Sequence, residues 1–292
     1  MGGGVWTRAS ATSFVATKYA ASGVTNLDDL VKLNVNQIYD SRKLDPMLDP
    51  KGAIRECRDT EEHPNTIPII LALDVTGSMG RATKACATKL DEIITRLYGK
   101  VKDVEFLMMG IGDLAYDSAP IQATQFESDV RIIDQTTKIW FEGGGGGNEF
   151  ESYTAAWYFG LHHTDLDCWK RGKRGLIITL GDEPLNPYLP GKDLYYTLDG
   201  QKQTVFADVE TADLYKAASE KFDIYHIAIK DAESSFRRYE NKIRDSWGKL
   251  LGQKCLYAYS HDLPEIIEMI VNEHTGASGV APKENPLEGI SW

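Results

Sequence analysis

No stretch of this sequence approaches the roughly 18 consecutive apolar residues that a membrane-crossing helix needs, so a membrane role is not expected. Cysteine is scarce. Cys57, Cys86, Cys168 and Cys255 are widely spaced, with no CxxC pair and no histidine at zinc-finger spacing. That excludes a disulfide framework and a zinc knuckle, and leaves buried free thiols as the expectation. Positive charge is also in deficit, with 32 Lys and Arg against 43 Asp and Glu and a formal net charge of -11. A phosphate backbone would find no concentrated basic surface, so no nucleic-acid partner is expected. The opening Met-Gly-Gly-Gly-Val-Trp has no basic region followed by an apolar run, so it does not read as a secretory signal. Trp6 also stands where a myristoylation signal wants Ser or Thr. These absences together predict a soluble, cytoplasmic protein.

What is present is ordinary for a folded chain: 42% hydrophobic and 26% charged residues over 292 positions. That length allows a full core and favours one large domain with extensions. Residues 1–66 are Gly-rich at the start, then Ser/Thr/Ala-rich, and end in the charged run from Glu56 to Glu62; they read as an N-terminal extension. Within it, Asn26-Leu27-Asp28-Asp29-Leu30-Val31 offers a cap followed by an apolar face and predicts a helix. The main domain spans 67–275. Residues 276–292 form a tail with Gly and Pro and little periodicity.

The main domain opens with Ile67 to Asp74, a nearly continuous apolar run ended by a carboxylate, as in a central strand buried on both faces. After Gly77, Met79, Ala82, Ala85, Cys86, Leu90, Ile93, Ile94 and Leu97 recur every three or four positions and predict an amphipathic helix. The alternation continues. Strands are predicted at Val104 to Ile111, Val130 to Ile133 (a short edge), Gly175 to Leu180, Ile224 to Ile229 and Cys255 to Tyr259. Helices are predicted at Glu149 to Leu161, Thr211 to Lys221, Ser234 to Trp247 and Leu263 to Glu273. Alternating strands and helices give an α/β fold, Rossmann-like, with a mainly parallel central sheet and helices on both faces.

In such sheets ligands gather at the carboxyl ends of the strands, and three loops there carry suitable groups. Asp74-Val75-Thr76-Gly77-Ser78-Met79-Gly80 can aim three oxygens at one point, with Gly77 and Gly80 easing the turn. Gly143 to Gly147 leads into Asn148-Glu149-Phe150-Glu151. Gly181-Asp182-Glu183-Pro184 follows the strand ending at Leu180. Oxygen-only ligands with few carboxylates suit a hard cation, Mg²⁺ first, with Mn²⁺ or Ca²⁺ as alternatives. Asp74 and Asp182 offset a dication while Thr76 and Ser78 add no charge, so the metal would remain attractive to a carboxylate from a partner.

Each feature has a plainer reading. Thr76 or Ser78 could merely cap the following helix, Asp182 could be a turn residue, and Asn148 could be an N-cap rather than a metal ligand. Glu149 and Glu151 suit the first turn of a helix on dipole grounds alone. The glycine run lacks the Gly-Lys-Ser/Thr of a phosphate loop. His162 and His163 read as a polar helix end rather than metal ligands.

Asp74-Val75-Thr76-Gly77-Ser78 resembles the DxSxS or DxTxS signature of the metal-ion-dependent adhesion site in von Willebrand factor A domains, of the bacterial or phage type. Gly110-Ile111-Gly112-Asp113 falls where members carry a turn after the second strand. Gly145-Gly146-Gly147-Asn148-Glu149-Phe150-Glu151 is similar to their GGGDxPE loop, and Gly181-Asp182-Glu183-Pro184 to their GDxPP loop. The resemblance implies Asp74, Thr76, Ser78, Asn148 and Asp182 as the metal site. The Thr that some members place in the second loop, and the His that often follows the third, are both missing here.

The resemblance further implies a metal-dependent protein-interaction module, not an enzyme, with a MoxR-type AAA+ ATPase or an assembly subunit as partner. Two other classes remain open at the level of sequence. One is a structural subunit of a phage or other particle. The other is a metal-dependent hydrolase, which would want a nucleophile or general base that these loops do not supply as His or Lys.

Overall fold

The computed structural model describes residues 7–26, 29, 41–79, 82, 86, 89, 93–94, 96–143, 148–199 and 206–276, with backbone alone at 22 and 233–235. Its centre is a six-stranded sheet in the order β10-β9-β6-β2-β3-β4. The strands are β2 (Ile67–Asp74), β3 (Val104–Ile111), β4 (Ile121–Ala123), β6 (Gly175–Gly181), β9 (Phe222–Ile229) and β10 (Cys255–Ala258). All neighbours run parallel except β4, which pairs antiparallel with β3 at the edge. Two outlying parallel segments, β1 (Arg55–Cys57) and β5 (Thr164–Leu166), pair with each other. The short antiparallel pair β7 (Tyr188–Leu189) and β8 (Val209–Glu210) completes the strands among the described residues.

β2 is buried from Pro68 to Asp74, because helices cover both faces and leave no solvent side to reward polar alternation. Odd positions Ile69, Leu71 and Leu73, with Ile178 and Ile227, face a layer that includes helical residues 82, 86, 93, 94 and 97. α1 (Arg8–Lys18), α2 (Arg131–Thr136) and α6 (Leu263–Thr275) also contribute to that layer. Even positions Ile70 and Ala72, with Ile177 and Ile224, face α3 (Ala155–His162), α4 (Thr211–Ser219) and α5 (Glu233–Leu251). The result is a three-layer α/β/α domain, the class expected from the alternation of elements.

Part of the first 66 residues packs into this core. Ala11, Val15, Val24 and Leu48 are buried in the first cluster, and the buried Arg55 guanidinium donates to the carbonyls of Met47 and Ala123. At Asn26 the side chain accepts the Asp29 amide at 3.0 Å, as a helix cap does, although most of the helix expected there lies outside the described residues. Ala85, Leu90, Gly80, residues 144–147 and the tail from 277 onward also lie outside them. All four cysteines are free and buried.

Two expectations are corrected. Val130 to Ile133 is not a strand. The Asp129 carboxylate accepts the Arg131 amide at 2.9 Å, the Asp129 carbonyl accepts that of Ile132, and the chain turns into α2, burying the adjacent Ile132 and Ile133 together. The edge strand is Ile121–Ala123 instead. The helix expected from Glu149 begins only at Ala155, because the preceding loop is tied to the loop after β3. The Ser152 amide donates to the Gly112 carbonyl at 3.2 Å, and Ser152 Oγ accepts the Leu114 amide at 3.0 Å. Glu149 and Glu151 therefore owe nothing to a helix dipole.

Candidate functional site

Adjacent strands lie about 4.8 Å apart, and the chain crosses from the β3 side of β2 to its β6 side. This is the switch point where loops diverge and leave a crevice. The β2 and β6 ends face each other across it, with Leu73 in register with Leu180. Asp74 ends β2, and Asp182 follows Gly181 at the end of β6; both are fully buried.

The oxygens form a chain. Asp74 Oδ1 accepts the Thr76 amide at 2.9 Å and the Thr76 hydroxyl at 2.6 Å. Thr76 Oγ1 lies 3.1 Å from Ser78 Oγ, which donates to Asp182 Oδ1 at 3.0 Å. Asp74, Thr76, Ser78 and Asp182 are thus brought to one point. Among the described residues of that turn only Ser78 and Gly77 reach the surface, so a ligand would approach from their side.

Asn148 is engaged with the loop after β3. Its amide donates to Asp113 Oδ2 at 2.6 Å, and its Oδ1 accepts the Phe150 amide at 3.1 Å. Both of its polar atoms serve the loop after β3 and its own turn, and it makes no hydrogen bond to the Asp74 group. Glu151, from the same loop, is 4% exposed, and its Oε2 has no hydrogen-bond partner among the described residues.

The residue that sequence reasoning missed is Tyr153. Fully buried, its hydroxyl donates to Asp74 Oδ2 at 2.6 Å and accepts the amides of Asp182 at 3.2 Å and Glu183 at 3.3 Å. It bolts the first loop to the third from underneath. Gly181 exists for it, since a Cβ there would collide with the Tyr153 hydroxyl. Below lie Trp247, which donates to the Glu183 carbonyl at 3.1 Å, and His226, stacked on Trp247 at 3.7 Å. A small residue at a buried strand end was the one signal in the sequence, and it did not name its neighbour.

The electrostatics follow from crowding carboxylates out of water. Burial, then the neighbouring Asp182, pushes the Asp74 carboxyl up to about 7. Burial, then Asp74 and Asp182, raises Glu183 to about 8. Burial, then Asp74 and Glu183, raises Glu151 to about 11, so it holds a proton at neutral pH. His226 is pushed down to about 3 by burial alone. A group of acids this costly to ionise gains from any counter-charge brought among them.

The donor set fits a hard cation. Octahedral Mg²⁺ holds oxygens at roughly 2.1 Å, which puts neighbouring ligands about 3 Å apart. The Thr76–Ser78 and Ser78–Asp182 separations of 3.1 and 3.0 Å match that edge. Among the described residues no three His, Cys, Asp or Glu side chains converge on a common point, so any cation here would depend on the hydroxyls.

No protein-family model matches the chain, and no curated protein sequence does. Solved structures do. The pilus adhesin SpaC from Lactobacillus rhamnosus GG, in an open conformation, is 13% identical with a TM-score of 0.48; the match covers 76% of this chain and 31% of SpaC. This chain therefore spans under a third of that adhesin. The vWF domain of the type V pili tip protein Mfa5 from Porphyromonas gingivalis is 10% identical with a TM-score of 0.46, covering 75% of this chain and 98% of that domain. BatB from Bacteroides thetaiotaomicron, a conserved hypothetical protein, is 12% identical with a TM-score of 0.43, covering 72% and 99%. The fold class itself rests on the strand order and layers described above.

Proposed function

We propose that this chain is a protein-interaction module of the von Willebrand factor A type. It would hold Mg²⁺, or else Mn²⁺ or Ca²⁺, at the β2 and β6 ends and use it to grip an acidic residue of a protein partner in a multiprotein assembly. The observation that carries this reading is the Ser78 to Asp182 hydrogen bond of 3.0 Å, which joins two loops 104 positions apart into one oxygen cluster. When bound, the cation supplies a positive pole for an incoming carboxylate. The chain's own groups do the rest. Thr76 and Ser78 present uncharged oxygens, Asp74 orients Thr76, and Tyr153 fixes Asp74 against the Asp182 loop.

The reading is of binding rather than catalysis. The hydroxyls of Thr76 and Ser78 are committed to carboxylates and suit coordination better than attack on a substrate. Four unpaired thiols support a reducing, cytoplasmic setting. No described helix is long and apolar enough to cross a membrane. A MoxR-type AAA+ ATPase and an assembly subunit are both partners of the expected kind.

Affinity capture from the native host, with Mg²⁺ and with EDTA, tests this. Capture should require the metal and should be lost in Asp74→Ala while circular dichroism shows the fold intact. Capture that survives both EDTA and the substitution refutes the metal's role.

A further inference from the structure

Among the buried side chains that the candidate site does not use is a histidine with an acceptor at each end of its ring. His163 follows α3 and is 4% exposed, its ring stacked on Phe159 at 5.5 Å. Nδ1 lies 3.2 Å from the carbonyl oxygen of Ala53, and Nε2 lies 3.1 Å from Asp199 Oδ1. A carbonyl and a carboxylate can only accept, so each ring nitrogen needs a proton of its own to make both bonds. Only the imidazolium carries two.

The two acceptors come from segments far apart in the chain. Ala53 precedes β1, where the Gly52 amide donates to the Leu198 carbonyl at 2.6 Å and the Arg55 amide donates to the His163 carbonyl at 2.8 Å. Asp199 ends the helical turn Tyr195–Asp199. That stretch continues from the Asp182 loop through Asn186, whose amide donates to Thr154 Oγ1 at 2.6 Å, one residue after Tyr153. His163 therefore pins residues 52–53 to the stretch that leads out of the candidate site. On α3, His162 is held below its usual value by burial and then by His163, and the Tyr158 hydroxyl lies 3.4 Å from Asp199 Oδ2. In the first segment the Arg55 guanidinium turns to the carbonyls of Met47, Asp49 and Ala123, and Lys51 is exposed. On β5, Asp165 pairs with Arg58. Among the described residues Asp199 is thus the carboxylate that meets the His163 ring.

We infer that His163 is a proton-operated clasp: as the imidazolium it holds Ala53 and Asp199 together, and on losing one proton it releases Ala53. Charge decides which bond is lost. A bare ring nitrogen facing a carboxylate costs more than one facing a neutral carbonyl, so the remaining proton stays on Nε2 and Nδ1 turns a lone pair toward the Ala53 oxygen. That contact becomes repulsive, and the adjoining Gly52 to Leu198 bond loosens with it. The clasp is closed at low pH and opens as pH rises through the range in which imidazoles titrate. It makes the seating of residues 52–53 on the 191–199 stretch respond to pH, and it does so whether or not a metal is bound.

Amide hydrogen exchange by NMR on the full chain, at about pH 5 and about pH 8 and corrected for intrinsic rates, reads the clasp. Protection of Gly52, taken relative to Leu71 in β2, should fall about five- to tenfold at the higher pH. Asp199→Asn removes the switch without removing the contact. A side-chain amide can donate as well as accept, so the neutral ring can keep its proton on Nδ1 and hold Ala53, and Gly52 protection should be the same at both pH values. The nitrogen chemical shifts of the His163 ring in the wild type give a second measurement, which decides alone if the variant does not fold. They should show both nitrogens protonated in the closed state and Nε2 alone in the open one. Gly52 protection that ignores pH in the wild type, or that falls in Asp199→Asn as it does in the wild type, overturns the clasp, as does a neutral ring with its proton on Nδ1.

Discussion

Replacing Tyr153 with Phe removes a single oxygen from beneath the acidic cluster and leaves the ring packing in place. Asp74 Oδ2 would lose a donor at 2.6 Å, and the buried amides of Asp182 and Glu183 would lose their shared acceptor at 3.2 and 3.3 Å. A hydrogen bond to a carboxylate contributes about 1.5–3 kcal/mol, and each amide left unsatisfied costs on the order of 1 kcal/mol, less where the bond was already long. These costs overlap at one site, so a loss of about 2–4 kcal/mol in folding stability is expected. The Tyr153 hydroxyl also holds the Asp74 carboxyl lower than burial alone would, so Tyr153→Phe should move that group further above 7 and favour its protonated form. Mg²⁺ affinity at pH 7 should then weaken by about tenfold, through proton competition and loosening of the third loop. Urea denaturation and isothermal titration with Mg²⁺ provide the two readouts. Tyr158→Phe is the control, since its half-buried hydroxyl makes only a 3.4 Å contact with Asp199 and should change stability by less than about 0.5 kcal/mol. A Tyr153→Phe protein as stable as that control, with unchanged Mg²⁺ affinity, would refute the bridging role.

Gly181→Ala forces a methyl group against the same hydroxyl and should cost about 1–3 kcal/mol; combined with Tyr153→Phe the two losses should fall short of their sum in a double-mutant cycle. Glu151→Gln replaces a carboxyl that keeps its proton up to about pH 11, so metal-free stability at pH 7 should shift by less than about 0.5 kcal/mol, and a larger loss in urea melts would show the group to be ionised. His226 is held down to about 3, below an unfolded value near 6.5, so the unfolded chain binds more protons between those values. Its contribution is fully present above about pH 6.5 and is lost as pH falls toward 3, up to about 4–5 kcal/mol; His226→Phe should flatten that part of the stability curve, and an unchanged curve would contradict the burial argument.

The strands that build the centre of the sheet were legible because burial on both faces writes itself as an apolar run. Ile67–Asp74 and Val104–Ile111 have the bounds expected, and Gly175–Gly181 and Phe222–Ile229 differ at the ends only. The convergence of Asp74 with Asp182 was legible for a related reason, as both terminate such runs and parallel neighbours end on the same side. Edges were not. Ile121–Ala123 is a strand because β3 offers it an unpaired edge, and its three residues carry no periodicity of their own. β1 and β5 escaped notice for the same reason. Val130 to Ile133 looked like a strand from its β-branched residues, yet a carboxylate one position upstream turned it into a helix. Tyr153 shows the limit most clearly. Its role depends on a contact 79 positions back to Asp74 and another 29 positions forward to Asp182, and no local pattern encodes either.

Direct measurement of Mg²⁺ binding by isothermal titration, on the wild-type chain and on Asp74→Ala, tests the central claim most directly. The account predicts one saturable site in the wild type and a loss of about a hundredfold or more in the variant, with unfolding midpoints in EDTA showing both proteins folded. Absence of binding in the wild type, or equal binding by the two proteins, would contradict it.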